Sequence, residues 1–410
     1  MRHHSIASFT RVTVITALFG LTFSSIAAPP NASLQHVSLQ HVSLQHVSLQ
    51  HVSLQHQQFD GLIREPLSLQ VTLDNGKPAI LDAFVTRPVS QTKLPVVVIT
   101  NGTVGTAEFD RWEMNPNRAS STALAFARHG YAAVTVLREG YGYSSGGAEY
   151  LGGSCKQPLH KLAGEKDTRD MLAALAAIRR QPWASPDKAV LAGMSAGGFA
   201  VLATSAVNPP GVQAIINFDG GRGSIDGKSL CDRSGLINAF TTYGLTARIP
   251  SLWLYSSNDQ SFSPEMGRAF SEAYRSGGGK AEFIEMPAFG KNGHVFMDTA
   301  PESFWWKTVA SFLAQQHLPY EEVVTLPVTH LASPANLNNS AGKKAFKKYE
   351  AARLYEKAFA TGKDGAWGTA YWARTGREAA AAAIKSCETF QHKGAANCTV
   401  YAINDEVVAK

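Results

Sequence analysis

Residues 188–207 read KAVLAGMSAGGFAVLATSAV, and they decide the fold of this chain. The apolar run at 188–193 is typical of a buried strand, and residues 198–207 are typical of a helix. Between them, GMSAG (193–197) is a G-x-S-x-G pentapeptide. A serine on a tight strand-to-helix turn is presented to solvent at the end of a sheet, with the helix N-terminus behind it. The stretch therefore predicts that Ser195 is a nucleophile.

Strand-like and helix-like segments alternate on both sides of this stretch. Residues 95–100, PVVVIT, form a continuous β-branched run, as expected for a strand that is buried on both faces. The alternation predicts a doubly wound, mainly parallel α/β sheet with helices on both faces and sites at the carboxyl ends of its strands. We predict a hairpin at 67–73 and 79–85, further strands at 131–137, 212–218, 251–255 and 281–285, and helices at 121–129, 165–180, 264–275 and 302–315.

A nucleophilic serine needs a base, and the base needs an acid that orients it. In this architecture the order along the chain is serine, acid, histidine. Asp259 follows strand 251–255, and His294 lies in a glycine loop that could swing its imidazole toward Ser195. Asp219, directly after strand 212–218, is the rival acid and otherwise shapes the pocket floor. We predict a triad of Ser195, Asp259 and His294.

Two backbone N–H groups should stabilise the developing oxyanion. One is that of Ala196, next to the nucleophile, and the other is that of Thr103 or Val104 in the loop after PVVVIT. Loop positions suggest that Trp112, Tyr141 and Tyr150 line the substrate pocket. This chemistry needs neither a metal nor a cofactor.

These motifs together resemble the α/β-hydrolase superfamily, and within it the bacterial dienelactone-hydrolase-like branch. The matching pieces are NG (101–102), REGYGYS (138–144), GMSAGG (193–198), YSSND (255–259) and GH (293–294), which span residues 67–318. Dienelactone hydrolases carry a cysteine nucleophile where this chain has Ser195, and the superfamily often has His-Gly where this chain has Asn101-Gly102. The resemblance thus implies acyl transfer on a substrate other than dienelactone.

The N-terminus has the pattern of a secretory signal peptide. Basic residues precede an apolar run at 12–23, and a small-x-small site follows at 25–27. The run is too short for a membrane anchor, which needs about 20 residues. We therefore predict a signal peptide at 1–27, a secreted or periplasmic protein and no membrane span.

Five copies of Ser-Leu-Gln-His follow at a five-residue period within 33–56. No helix or strand has that period, so we predict a disordered linker at 28–58. The histidines of the repeat could alternatively hold a transition metal weakly. The hydrolase domain is expected at 59–318, a Pro/Asn/Ser-rich linker at 319–340 and a small α+β module at 341–410. That module, with helices at 343–357 and 377–387 and a strand at 398–403, resembles those appended to exported members of the branch.

The chain has four cysteines, and four cysteines allow three pairings. Since an exported protein meets an oxidising compartment, the simplest assignment is one bridge per domain, Cys155–Cys231 and Cys387–Cys398.

The net charge of +6 lies mostly in the C-terminal part, where residues 331–410 carry 12 Lys+Arg against 7 Asp+Glu. We interpret the four lysines at 343, 344, 347 and 348 as the solvated face of a helix. Weak contact with an anionic envelope surface is the alternative, and no nucleic-acid partner is predicted.

The motifs favour an exported serine hydrolase that cleaves a small-molecule carboxylic ester through an acyl-enzyme. A peptidase or amidase on the same fold would use the same residues. A non-catalytic envelope-binding protein on a hydrolase scaffold is the third hypothesis, against which the complete Ser, Asp and His set argues.

Overall fold

The computed structural model describes residues 57–59, 61–103, 111–147, 155, 158–225, 229–391 and 397–408. The predicted signal peptide, the Ser-Leu-Gln-His repeat, Val104 and Tyr150 lie outside the described residues. Within these ranges, no helix is both long and apolar enough to cross a membrane.

A mainly parallel sheet forms the centre of the molecule. In the described part of the chain its strands are β1 (Gln57–Phe59), β2 (Leu62–Thr72), β3 (Pro78–Pro88), β4 (Leu94–Thr100), β5 (Ala132–Val136), β6 (Ala184–Met194), β7 (Val212–Phe218), β8 (Ser251–Ser256) and β9 (Ala281–Met286). They lie in the order β1-β2-β3-β5-β4-β6-β7-β8-β9. The first three are antiparallel to their neighbours, and β5, β4, β6, β7, β8 and β9 are parallel.

Helices cover both faces of this sheet. They are α1 (Ser120–Arg128), α2 (His160–Arg179), α3 (Ala196–Ser205), α4 (Arg233–Thr246), α5 (Pro264–Ser276), α6 (Phe296–Thr299) and α7 (Glu302–Gln315). Helices α2 to α5 share one hydrophobic core with the sheet, for example through Phe199 and Phe240, and α1 and α7 share the other through Phe126 and Trp305. The predicted α/β fold is therefore confirmed.

Many elements differ from their predicted bounds by one to a few residues, and three differences concern β1, α2 and α4. Strand β1 begins at Gln57, inside the predicted linker, and α2 begins at His160, five residues before the predicted start. Helix α4 was not predicted, because its two glycines and three threonines are weak helix formers. Tertiary contacts stabilise it instead: Leu236 and Phe240 are fully buried, and the Asp232 carboxylate caps its first turn by accepting the Gly235 N–H at 2.8 Å.

The C-terminal module has its own antiparallel sheet. Its elements are α8 (Ser340–Ala351), β10 (Ala358–Thr361), β11 (Trp367–Ala370), α9 (Gly376–Glu388), β12 (Thr399–Ile403) and β13 (Glu406–Val407), with strand order β11-β10-β12-β13. The predicted helix at 343–357 is wrong beyond Ala351. Lys357 Nζ donates to the carbonyls of Tyr349 (2.9 Å) and Ala352 (2.6 Å), so this buried lysine closes the helix instead of extending it.

Both predicted disulfides, Cys155–Cys231 and Cys387–Cys398, are present. The second joins α9 to the residue that precedes β12, and Cys387 and Cys398 are both buried in the core of the module. The four lysines of α8 are all exposed, as expected for a solvated helix face.

A buried ion pair ties the module to the large sheet. Arg64 on β2 donates to Glu356 Oε1 at 2.6 Å, and both side chains are almost completely buried. The Arg64 guanidinium also lies over the rings of Phe84 and Tyr355, at 4.9 and 5.1 Å. The charges are therefore compensated inside the protein instead of by water.

Glu356→Ala should destabilise the protein by about 3–5 kcal/mol, because it breaks the buried ion pair by removing the carboxylate that Arg64 contacts at 2.6 Å. Urea unfolding would measure the loss. Glu388→Ala, which removes an exposed carboxylate from α9, is the matched control and should shift the midpoint little. Equal shifts in the two variants would contradict this assignment.

Candidate active site

Ser195 lies on the turn between β6 and α3. Its backbone has φ 55° and ψ −122°, a conformation that non-glycine residues rarely adopt. The surrounding structure holds this strained turn in place: the Ser195 N–H donates to the Phe218 carbonyl, and the Ser195 carbonyl accepts the Gly221 N–H, each at 3.0 Å. Strain that is maintained in this way is characteristic of functional residues. The serine therefore sits at the carboxyl end of the parallel strands, as the pentapeptide predicts.

The end of β4 lies directly against this turn. A Cβ on Gly102 would come within 2.9 Å of Ser195 Cβ, and one on Gly197 would come within 2.5 Å of the Thr100 and Asn101 carbonyls. Only glycine permits both close approaches. Because β4 is paired with β6, the loop that carries Thr103 lies beside Ser195.

Two side chains hold the backbone of that loop. The buried Arg138 donates to the Asn101 carbonyl at 2.7 Å, and Asn101 Nδ2 donates to the Gly102 carbonyl at 2.7 Å. In a trans peptide the N–H points opposite to the C=O. The Thr103 N–H therefore points away from the Asn101 side-chain amide, and its role as an oxyanion donor stays a prediction.

Asp259 and His294 form a hydrogen-bonded pair at the same edge of the sheet. His294 Nδ1 lies 2.9 Å from Asp259 Oδ2, while Asp259 Oδ1 accepts the N–H groups of Ser261 (2.5 Å) and Phe262 (2.9 Å). The Asp259 side chain is fully buried, and that of His294 is 13 % exposed. The carboxylate thus fixes the ring orientation and leaves Nε2 available.

The glycine loop of His294 is pinned instead of free to swing. Asn292 Oδ1 accepts the N–H groups of both His294 and Gln260, each at 3.0 Å, so it joins the histidine loop to the Asp259 loop. Asn258 Oδ1 accepts the Phe289 N–H at 2.9 Å and anchors the start of the loop. No hydrogen bond joins the described Ser195 hydroxyl to the His294 ring; such contacts often tighten only in the substrate complex.

Asp219, the rival acid, lies behind Asp259. Its Oδ1 accepts the Ser256 N–H at 3.0 Å, and among the described residues no donor reaches its Oδ2. One oxygen each of Asp219 and Asp259 and one ring nitrogen of His294 lie within 4.8 Å of one another. Complete burial, together with the neighbouring Asp259 carboxylate, raises the pKa of Asp219 well above its ordinary value. The protonated form of Asp219 is thereby favoured, and that form can donate a hydrogen bond to Asp259.

Asp219 should make the stability of the protein fall as the pH rises. Above its unfolded-state pKa of 3.8 the unfolded chain releases the proton, while the folded chain keeps it up to its raised pKa. Asp219→Asn removes this difference, so the unfolding free energy of the variant relative to wild type should increase from pH 5 to pH 8. Urea unfolding at both pH values measures the trend, and a constant difference would contradict it.

A small cavity of about 30 Å³ lies beside the end of β4, next to the turn that carries Ser195. Gly102, Thr103 and Met194 line it together with five residues of the segment 114–119 and with Met297 and Asp298 after the histidine. Trp112 and Tyr141, two of the residues predicted to line the substrate pocket, are not among the residues that line this cavity: Trp112 is 56 % exposed, and Tyr141 is fully buried. The Tyr141 ring packs beneath the Arg138 guanidinium, 5.6 Å away, and the role of both residues in substrate binding stays a prediction.

Residues 76–282 match the family model described as X-Pro dipeptidyl-peptidase (S15 family). The chain belongs to this S15 family. Combined with the sheet order and the pentapeptide, membership identifies a serine hydrolase of the α/β-hydrolase fold. Among curated protein sequences, none matches the chain.

Three solved structures illustrate what about three fifths of the chain is similar to. A putative dienelactone hydrolase from Klebsiella pneumoniae has 16% identity and a TM-score of 0.41, covering 62% of this chain and 98% of its own. Est1E from Butyrivibrio proteoclasticus has 14% identity and a TM-score of 0.41, covering 61% and 98%. Porphyromonas gingivalis dipeptidyl peptidase 4 has 17% identity and a TM-score of 0.44, covering 63% of this chain and 36% of its own.

The sequence analysis did not predict the supporting roles of three residues in the candidate site: Arg138, Asn258 and Asn292. Each follows a strand or sits in a loop next to a predicted site residue, which is the signal that could have found them. The Asp219, Asp259 and His294 cluster is the one group in the described ranges with the composition of a metal site. Asp259 and His294 already use their facing atoms on each other, which favours an orienting pair over a metal site.

Proposed function

We propose that the chain is a carboxylic ester hydrolase that works through an acyl-enzyme formed on Ser195. The observation that carries the proposal is the 2.9 Å contact between His294 Nδ1 and the buried Asp259 carboxylate. It orients the ring with Nδ1 toward the carboxylate, so Nε2 is the nitrogen that can accept a proton. Ser195, strained on its turn at the same edge of the sheet, is the group that would lose that proton.

The reaction proceeds in two halves. In the first, Ser195 Oγ attacks the acyl carbon, His294 Nε2 takes the hydroxyl proton and then gives it to the departing alkoxide. The N–H groups of Ala196 and Thr103 stabilise the tetrahedral oxyanion. In the second half, His294 Nε2 takes a proton from a water that attacks the acyl-enzyme, and it returns this proton to Ser195 Oγ as the acid leaves. Asp259 holds the ring throughout and stabilises its cationic form.

A peptidase or amidase is the second candidate, and membership of the S15 family favours it. A dipeptidyl-peptidase must bind the charged N-terminus of its substrate. Asp298, the carboxylate that lines the cavity, is already paired with Arg118 at 2.8 Å. Because it is engaged in this pair, Asp298 is a poor ligand for an N-terminal ammonium, which supports the ester hydrolase over the dipeptidyl-peptidase.

Comparing p-nitrophenyl esters with Xaa-Pro p-nitroanilides tests the choice. We expect kcat/KM for the acetate or butyrate ester to exceed that for the anilides, beyond the background reactivity ratio measured without enzyme. A preference for the anilides after that correction would replace the ester proposal with the peptidase. An absence of labelling by a fluorophosphonate probe in folded protein would overturn both.

We further propose that the protein is exported after cleavage near residue 27, as a secreted or periplasmic enzyme. The two disulfides are compatible with an oxidising compartment. The exposed lysines of α8 could add weak contact with an anionic surface. N-terminal sequencing of the mature protein should begin near Ala28, and recovery of full-length protein with reduced cysteines from the cytoplasm would contradict export.

A further inference from the structure

A loop of the C-terminal module lies against one wall of the cavity beside Ser195. We name residues 372–374 the docking loop and residues 114–119 the wall segment. Three hydrogen bonds join them: Asn115 Nδ2 to the Trp372 carbonyl (2.5 Å), Asn117 Nδ2 to the Ala373 carbonyl (2.9 Å), and the Arg374 guanidinium to the Met114 carbonyl (2.9 Å). The wall segment is therefore bonded to the module along its length.

Arg374 anchors the docking loop to the large domain. Its guanidinium lies 2.7 Å from Asp82 Oδ2 and 3.5 Å from the centroid of the Tyr143 ring. Asp82 Oδ2 also accepts the Tyr143 N–H at 3.0 Å, so the carboxylate and the ring are held together. The side chains of Arg374 and Asp82 are only 18 % and 9 % exposed. Charge-assisted hydrogen bonds that are shielded from water in this way are stronger than ion pairs on the surface.

The wall segment connects this contact to the site. Its Met114, Asn115 and Pro116 line the cavity together with Gly102 and Thr103. At its other end Arg118 donates to the buried Asp298 at 2.8 Å. Asp298 lies in α6, four residues after His294. The wall segment therefore contacts the module on one side and α6, the short helix just after His294, on the other.

From this arrangement we propose that the C-terminal module is a positioning element of the active site. Its docking loop holds the wall segment in place and thereby determines which acyl groups fit beside Ser195. Arg374 is the positioning residue, since it joins Asp82, Tyr143 and Met114. The specificity part of this inference rests on the proposed ester hydrolysis, whereas the positioning part concerns the wall itself.

Amide hydrogen exchange of the full chain tests the positioning directly. In Arg374→Ala, peptides covering 111–119 should exchange about tenfold faster or more, because the bond to the Met114 carbonyl and the anchor of the docking loop on Asp82 are both lost. Arg377→Ala removes an exposed arginine three residues away and should leave these peptides unchanged. Equal exchange of residues 111–119 in the two variants would overturn the proposal, whatever the protein hydrolyses.

Kinetics with a p-nitrophenyl ester series from acetate to octanoate tests the specificity. In Arg374→Ala, KM should change more than kcat, and the ratio of kcat/KM between long and short esters should shift about fivefold or more. Arg374→Lys should restore part of the shift, since it keeps the charge for Asp82 without the planar stack on Tyr143. An unchanged ester profile, alongside normal fluorophosphonate labelling, would overturn the specificity claim and leave the proposed function intact.

A second variant covers the case in which Arg374→Ala does not fold. Tyr143 is 69 % exposed, so Tyr143→Leu should fold and removes only the ring on which Arg374 is stacked. We expect faster exchange at 111–119, in the same direction but smaller than for Arg374→Ala. Unchanged exchange in this variant would overturn the proposal.

Discussion

Ser195→Ala is expected to lower kcat for p-nitrophenyl esters by about 10⁶-fold, because no other group can form the acyl-enzyme. The remaining activity would come from binding and from the oxyanion donors, which the substitution leaves in place. The same variant should lose all labelling by a fluorophosphonate probe. Steady-state kinetics on active-site-titrated protein, with intact-mass analysis of the labelled chain, measure both effects.

Ser257→Ala is the matched control for this experiment. Ser257 is an exposed serine just after β8, two residues before Asp259. Its replacement should leave both kcat and labelling close to wild type. If Ser195→Ala is still labelled and the adduct maps to another serine, the assignment of the nucleophile is wrong.

Asp259→Asn should lower kcat by about 10⁴-fold, since an amide cannot hold the His294 ring in the required tautomer or stabilise its cation. Asp219→Asn should reduce kcat by less than about tenfold, a barrier change under about 1.4 kcal/mol. The reason is that burial beside the Asp259 carboxylate raises the pKa of Asp219 and favours its protonated form, which an amide of the same shape replaces closely. Asparagine also tolerates the positive φ of 47° at this position.

The two variants serve as controls for each other, because they make the same chemical change at carboxyl groups with one oxygen each within 4.8 Å. Circular dichroism and the unfolding midpoint would show that both are folded. A loss of about 10⁴-fold in Asp219→Asn with near-normal activity in Asp259→Asn would reverse the assignment of the acid.

Local pattern was sufficient for most of the large domain. Strand β7 and helix α7 have the predicted bounds, and β4 differs by one residue, because apolar runs and helical periods there are long and uninterrupted. The sequence pattern did not predict those helices and strands that are stabilised mainly by contacts with residues distant in sequence. Helix α4 forms because its apolar side chains are buried, and the short strands β10 and β11 form because they pair with each other and with β12.

The features of the candidate site also fall into two groups, those that the local sequence predicts and those that depend on the tertiary structure. The pentapeptide, the chain order of Ser195, Asp259 and His294, and the departures from the dienelactone pattern are all readable locally. The preference for Asp259 over Asp219 gains support only in three dimensions, where one carboxylate faces the imidazole and the other lies behind it. The rigidity of the histidine loop also depends on Asn292, which bridges two loops that are distant in sequence.

The sequence by itself determined that this chain is an α/β-hydrolase with a serine on a strand-to-helix turn, because that turn and the strand periods are local properties of the backbone. Only the tertiary structure decided which groups meet at the sheet edge and what the C-terminal module contacts. Arg374 and Asp82 are 292 positions apart, and the local sequence around either residue does not predict their ion pair. Pairings of this kind depend on strand order and domain packing, which bring together residues whose local patterns are independent.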